Sequence, residues 1–101
     1  MRIDVRSGND SMTRELLAYA EYRVFVAIQA LASRIESIAI DVQDAHGSHG
    51  AACDIRVRLL GARQVRVRST GRHPAAAIDR AAVRLQRAMP SNVRDPPVAQ
   101  P

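Results

Sequence analysis

Strict alternation of apolar and polar residues in three successive segments is the feature that most constrains the fold. Apolar side chains occupy every second position in residues 38–42, 53–59 and 65–68. A period of two is typical of strands that bury one face and expose the other. Polar or glycine-containing stretches at 44–50 and 61–62 separate the segments and indicate turns. The sequence therefore predicts an antiparallel sheet with one apolar face.

A further strand and two helices complete the pattern. Residues 2–6 alternate in the same way and predict a strand that joins the other three. Residues 13 to 33 repeat apolar side chains at helical spacing, and Thr13 is a suitable N-cap. A second amphipathic helix is predicted to begin with Pro74 in its first turn and to end near Met89.

The predicted order is β-α-β-β-β-α, an α+β fold with a four-stranded sheet and two helices packed on one face. The other face of the sheet stays open to solvent. It carries aspartates and arginines that are able to pair between neighbouring strands, namely Asp4, Asp41, Asp54, Arg56, Arg58, Arg66 and Arg68. We expect residues 1–89 to form a single domain and the proline-rich residues 90–101 to form a disordered tail.

A row of arginines lies on the second predicted helix. The chain has 15 basic residues other than histidine, all of them arginine, against 10 acidic residues, and its formal net charge is +5. Arg80, Arg84 and Arg87 fall within about 60° of one another at about 100° per residue. Ile78 and Leu85 point the opposite way. Guanidinium groups suit phosphate, so the row favours a polyanionic partner, and the net charge is compatible with a nucleic acid, an anionic membrane or an acidic protein. A solvated helix face in an arginine- and alanine-rich chain is the alternative.

Catalytic and metal-binding patterns are missing from the sequence. It has no nucleophile–base pair, no paired carboxylates in a plausible cleft and no glycine-rich phosphate loop, so we expect neither an enzyme nor a cofactor. A metal site could be considered at Asp44, His46, His49 and Cys53, but we expect a flexible hairpin loop there. The two histidines do not share a helix, and a single cysteine is a poor ligand set for structural zinc. Asp79 is expected to pair with an arginine or a backbone group rather than to act as an acid.

The compartment follows from what the chain lacks. Its N-terminus begins directly with an alternating strand and shows no signal-peptide pattern. No apolar run approaches the ~20 residues that span a bilayer. The single cysteine, Cys53, has no partner for an internal disulfide. We therefore expect a cytoplasmic protein without a membrane partner.

Three short motifs carry a family resemblance. They are the helix start Met-Thr-Arg-Glu-Leu at 12–16, the segment Ala-Ala-Ala-Ile-Asp at 75–79, and Arg-Leu-Gln-Arg at 84–87. Together with the element order, they make residues 2–89 resemble the ribosome hibernation promoting factor and ribosome-associated inhibitor family in its short form, also called sigma-54 modulation proteins.

This resemblance implies a fold like a double-stranded-RNA-binding domain. It also implies binding to rRNA of the small ribosomal subunit near the decoding region and inhibition of translation under stress or in stationary phase. The basic positions that would contact rRNA are Arg23, Arg72, Arg80, Arg84 and Arg87.

The chain departs from the family pattern at several positions. Ala75 stands where the family has an aromatic residue, and His73 stands at the usual capping aspartate. Apolar residues fill 24–26, where further lysines are common, and residues 91–97 replace a lysine-rich tail. Two other functions stay open. One is a protein-interaction module with weakened RNA binding, such as a homodimer formed through the first helix, with its apolar residues Tyr22, Phe25 and Val26, or through the open sheet. The other is a general RNA-binding module.

Overall fold

The computed structural model describes residues 2–7, 13–45 and 50–89, with residues 44 and 45 described by their backbone alone. The predicted β-α-β-β-β-α order is confirmed. Its elements are β1 (Arg2–Ser7), α1 (Arg14–Ile28), a 3₁₀ helix (Gln29–Arg34), β2 (Ile35–Ala45), β3 (Gly50–Leu59), β4 (Gln64–Gly71) and α2 (Pro74–Ala88).

The four strands form one sheet in the order β1-β2-β3-β4. β1 runs parallel to β2, whereas β2–β3 and β3–β4 are antiparallel hairpins. A parallel pair needs a crossover connection, which α1 and the 3₁₀ helix supply. Ile38 lies opposite both Ile3 and Val57, so the register puts apolar side chains of neighbouring strands on one face.

The hydrophobic core lies between this apolar sheet face and the two helices. α1 contributes Ala20, Val24 and Ile28, and α2 contributes Ile78 and Leu85 among others. Each fully buried aliphatic side chain of this size stabilises the fold by about 1.5–3 kcal/mol. Both helices pack on the same side of the sheet, as the sequence predicts, and neither helix covers the opposite sheet face.

The first helix is shorter than predicted. Its α-helical part ends at Ile28, where φ is −118° and ψ is 5°, and six residues of 3₁₀ helix follow. The tighter 3₁₀ turns bury Leu31 and let β2 begin at the buried Ile35. At the start of the helix Thr13 is the N-cap, as expected, because its Oγ1 accepts a hydrogen bond of 3.1 Å from the Leu16 N–H.

The central hairpin is longer than the sequence indicates. β2 continues to Ala45 and β3 begins at Gly50. Strand pairing therefore extends into the segment 44–50, for which the sequence predicts a loop. Alternation stops earlier because residues 50–52 are glycine and alanine, which give little periodic signal. Residues 46–49, including both histidines of the predicted loop, lie outside the described residues.

The second hairpin turns at Gly61 and Ala62, as predicted. Both residues have positive φ, 86° and 68°. Two successive positive φ angles are typical of the type I′ turns that suit twisted hairpins. Alanine adopts this conformation at a cost of about 1 kcal/mol.

Close contact between backbones fixes where α2 starts. A Cβ on Gly71, the last residue of β4, would lie 2.7 Å from the backbone N of Ala77 and 2.9 Å from the Cβ of Ala76. Only glycine therefore permits this approach of the strand to the first turn of the helix. The predicted tail 90–101 and the segment 8–12 lie outside the described residues.

Candidate nucleic-acid interface

The arginine row lies on the outer face of α2. Arg80, Arg84 and Arg87 are exposed, whereas Ile78 and Leu85 on the opposite side of the helix are fully buried. The row borders an open cleft of about 560 Å³ between α2 and the edge strand β4, which we call the arginine cleft. Its lining residues are Arg68, Ser69, Thr70, Asp79, Arg80, Val83, Arg84 and Arg87.

The cleft is positively charged because its one carboxylate is already engaged. Asp79 Oδ1 accepts hydrogen bonds from Tyr19 Oη at 2.5 Å and from Arg23 Nε at 3.0 Å, both on α1. Arg80 Nη1 donates a hydrogen bond of 3.4 Å to the Thr70 carbonyl oxygen. Within the described ranges, Arg84 and Arg87 form no ion pair. Their guanidinium groups are therefore free to bind an external anion.

Arg23 has a different environment from the other predicted contact residues. Its ion pair with Asp79 joins α1 to α2, and its side chain is only 30% exposed. The expectation that Asp79 pairs with an arginine is thus confirmed. The separate hydrogen bond that Tyr19 donates to Asp79 raises the pKa of Tyr19, because it stabilises the protonated hydroxyl. Arg23 borders the cleft through Asp79 but is not a free cation.

The segment 75–79 owes its composition to packing. The Cβ of Ala76 and the backbone N of Ala77 lie against Gly71, and Ala77 and Ile78 are completely buried in the core. Asp79 then makes the contact with α1 described above. These alanines fix the position of α2, and that position sets the direction of the arginine row.

His73 caps the start of α2, at the position where the resembled family has an aspartate. Its Nδ1 accepts a hydrogen bond of 3.3 Å from the Ala76 N–H, and Pro74 occupies the first turn. Arg72, the preceding residue, is exposed but does not line the arginine cleft. The structure therefore brings Arg80, Arg84 and Arg87 together and leaves Arg72 beside the helix start.

Arg68 also lines the arginine cleft, although the sequence does not predict it as an RNA-contacting residue. It alternates onto the open face of β4, so the sequence assigned it to the sheet. β4 is an edge strand, and its long side chains reach the cleft beside α2. Arg68 reaches the cleft because β4 is the last strand of the sheet, and the order of the strands is a property of the tertiary structure.

The open sheet face neutralises part of its own charge. Arg66 contacts Asp54 through two hydrogen bonds, Nη2–Oδ2 at 2.7 Å and Nε–Oδ1 at 3.2 Å, which raises the pKa of Arg66. Arg68 lies 4.0 Å from the same carboxylate, which confirms the predicted pairing between strands at Asp54. Arg2 lies 3.5 Å from Asp4, within β1.

Cys53 lies on the core side of the sheet, behind this charged face. It is completely buried and is a free cysteine. Burial first, and then the negative charges of Asp54 and Asp41, raise the pKa of Cys53 to about 12. Such a thiol is inert at neutral pH. Across the described residues no three His, Cys, Asp or Glu side chains converge on a possible metal ion.

α1 exposes apolar side chains on its outer surface. The exposed fractions are 63% for Tyr22, 41% for Phe25 and 40% for Val26. We call these three residues the α1 apolar stripe. Two of the chain's three aromatic residues thus lie at the surface.

Comparison with solved structures identifies the architecture. The Thermus thermophilus protein Y N-terminal domain superposes with a TM-score of 0.70 at 24% identity, over 94% of this chain and 98% of that one. The chain has the protein Y fold. A ribosomal subunit interface protein from Coxiella burnetii gives a TM-score of 0.77 at 17% identity, over 94% and 99% of the two chains.

Both structures belong to the family that the sequence resembles, so the fold expected from that resemblance is confirmed. No protein-family model matches the chain, and no curated protein sequence matches it. No helix in the described ranges is long and apolar enough to cross a membrane.

Proposed function

We propose that the protein is a ribosome-associated factor that binds rRNA of the small subunit near the decoding region and inhibits translation under stress. The observation that carries this proposal is the arginine cleft. Arg84 and Arg87 point outward without a carboxylate partner in the described structure, on a fold shared with a ribosomal subunit interface protein.

The chemistry of the cleft matches a phosphate backbone. Arginine donates in a planar fork that fits two phosphate oxygens, and it keeps its charge at every physiological pH. Four arginines line the cleft, and Asp79 is compensated by Arg23. Three to four phosphate contacts predict a log–log salt slope of about −2 to −4. Electrostatics of this size gives weak binding, and specificity for one rRNA site then requires shape complementarity.

Sedimentation with purified ribosomal subunits tests the proposal. We expect the protein to co-migrate with the small subunit and to be released as salt rises. The variant Arg84→Glu should lose co-migration at a salt concentration that still retains the wild type. Arg63→Glu is the matched control, since Arg63 is an exposed arginine outside the cleft and without an ion pair in the described structure.

Three results would contradict the proposal. A protein that stays at the top of the gradient at low salt does not bind subunits. Equal loss in Arg84→Glu and Arg63→Glu would indicate a general charge effect rather than a docking site. Equal affinity for ribosomal subunits and for unrelated RNA would indicate a general RNA-binding module.

A further inference from the structure

We infer that Tyr22 is a base-stacking residue and that the surface formed by the arginine cleft and α1 binds RNA with at least one unpaired base. This inference rests on the proposed RNA-binding function and adds the class of RNA that the site takes. Its starting point is the exposure of Tyr22, the most exposed of the large apolar side chains in the described structure.

Among the described residues, the hydroxyl and ring of Tyr22 take no part in the core or in the contact between the helices. Tyr19, one turn earlier, donates to Asp79 and packs against the core. Tyr22 has no hydrogen bond or ion pair in the described structure and is absent from the core cluster. Because Tyr22 is 63% exposed, most of its apolar surface is available to a partner.

The position of Tyr22 is set by the contact between the two helices. Tyr19 and Arg23 reach α2 through Asp79. At about 100° per residue, Tyr22 and Val26 lie within about 40° of each other on the flank of α1 next to these two residues.

Helix geometry indicates that the exposed surface of α2 meets that of α1. On α2, Val83 lies one turn after Asp79, lines the arginine cleft and is 41% exposed. The outer surface therefore passes from the arginine row over Val83 and Asp79 to Val26 and Tyr22.

A strand of RNA fits this order of chemistry. Its phosphates are attracted by the arginines, and an unstacked base presents an aromatic face to a tyrosine ring. Bases inside an A-form duplex are stacked on their neighbours and cannot make that contact. The combined surface therefore favours a loop, bulge or single strand over a regular duplex.

A second copy of the chain fits this surface less well. Stable protein interfaces bury about 800 Å² on each partner, and the exposed parts of the α1 apolar stripe amount to only a fraction of that area. A larger contact would have to include the arginine row, and both copies carry the same uncompensated charge there. Charge complementarity thus selects RNA as the occupant.

Fluorescence anisotropy with two labelled RNAs tests the inference. One probe is an unstructured single strand of about 12 nucleotides and the other is a duplex of about 16 base pairs. Tyr22→Ala should bind the single strand about tenfold more weakly and leave duplex binding within about twofold. Its salt slope should equal that of the wild type, because no charge is removed.

Two matched variants separate stacking from other effects. Tyr22→Phe keeps the ring and should bind both RNAs like the wild type. Leu60→Ala removes a similarly exposed apolar side chain, 60% exposed at the β3–β4 turn, and should change neither affinity. Thermal melts of all variants should agree, since neither residue contributes to the buried core.

Defined results would overturn the inference. Unchanged single-strand affinity in Tyr22→Ala, or equal loss on both RNAs, contradicts base stacking. A wild-type dimer in sedimentation equilibrium that dissociates in Tyr22→Ala assigns the stripe to a second copy. Arg84→Glu isolates the proposed function: if it weakens both RNAs while Tyr22→Ala weakens neither, only the stacking role fails. If the wild type binds neither RNA, the stacking inference fails, and sedimentation with ribosomal subunits decides the proposed function separately.

Discussion

The arginine cleft and the open sheet face are both rich in arginine, yet they treat its charge differently. On the sheet, alternation puts Asp54 within reach of Arg66 and Arg68, and the carboxylate is only 16% exposed. On α2, the nearest carboxylate is Asp79, which faces α1 and pairs with Arg23. The difference teaches that the count of arginines does not locate a polyanion site. The site is where the fold directs the carboxylates elsewhere.

Reversing two charges on each surface is the strongest test of this comparison. Arg80→Glu/Arg84→Glu should weaken RNA binding by about 100-fold, because two charge-assisted contacts become repulsive. Arg2→Glu/Arg66→Glu makes the same change in net charge on the open sheet face and should weaken binding by less than about threefold. Anisotropy titrations at fixed salt measure both. Similar losses for the two variants would mean that only net charge matters.

A second prediction concerns the buried side of the sheet. The pKa of Cys53 is about 12 in the folded protein and that of an unfolded thiol is about 9, so the unfolded state releases its proton first as pH rises. The free energy of unfolding is therefore unaffected by Cys53 below pH 9 and falls above it, by about 2 kcal/mol at a pH of about 10.5. Denaturant unfolding at several pH values measures this loss. Cys53→Ala removes the contribution, and an equally steep decline in that variant would assign it to other groups.

The sheet face can be made to resemble the cleft by removing one charge. Asp54→Asn releases Arg66 and Arg68 from their partner, and Arg68 already lines the cleft. RNA binding should become about threefold tighter and its salt slope steeper by about one. Asp4→Asn, which releases Arg2 far from the cleft, is the control and should leave the affinity unchanged. Equal effects of the two changes would contradict a localised site.

The smallest expected effect is at the start of α2. His73→Asp supplies a stronger cap and a negative charge near the positive end of the helix dipole, so the unfolding free energy should rise by about 0.5 kcal/mol. Thermal melts at neutral pH measure the change. RNA affinity should stay within about twofold, since His73 does not line the cleft. A large loss of affinity would place the helix start inside the RNA interface.

The sequence predicts the layers of this fold well and the neighbourhood of the site only in part. Alternation in β3 and the helical spacing of Ile78 and Leu85 are local signals. α2 forms where expected, and β3 covers the predicted residues 53–59 but begins three residues earlier. The arginine row follows from the same spacing. The place of Arg68 in the cleft could not be predicted from local signals, because it depends on which strand is at the edge of the sheet. The choice of Arg23 as the partner of Asp79 could not be predicted either, because it depends on how α1 lies against α2.

The end of α1 illustrates a second limit of local signals. Apolar residues continue at helical spacing past Ile28, so periodicity alone predicts an unbroken α-helix. The structure tightens there into 3₁₀ turns because the chain must reach β2, which pairs with β1 in parallel. The position of β2 is set by its pairing with β1, which is distant in sequence. The residues around Ile28 therefore carry no signal for the change to 3₁₀ helix.

Gly71 gives the two ends of α2 different freedom to change during evolution. At the first turn, backbone meets backbone, and a Cβ on Gly71 would clash with Ala76 and Ala77. A core substitution elsewhere therefore cannot be absorbed by sliding this end of the helix. The other end rests on Leu85 and Met89, whose flexible side chains can repack. Drift among related sequences should thus tilt α2 about its glycine end and move Arg87 more than Arg80.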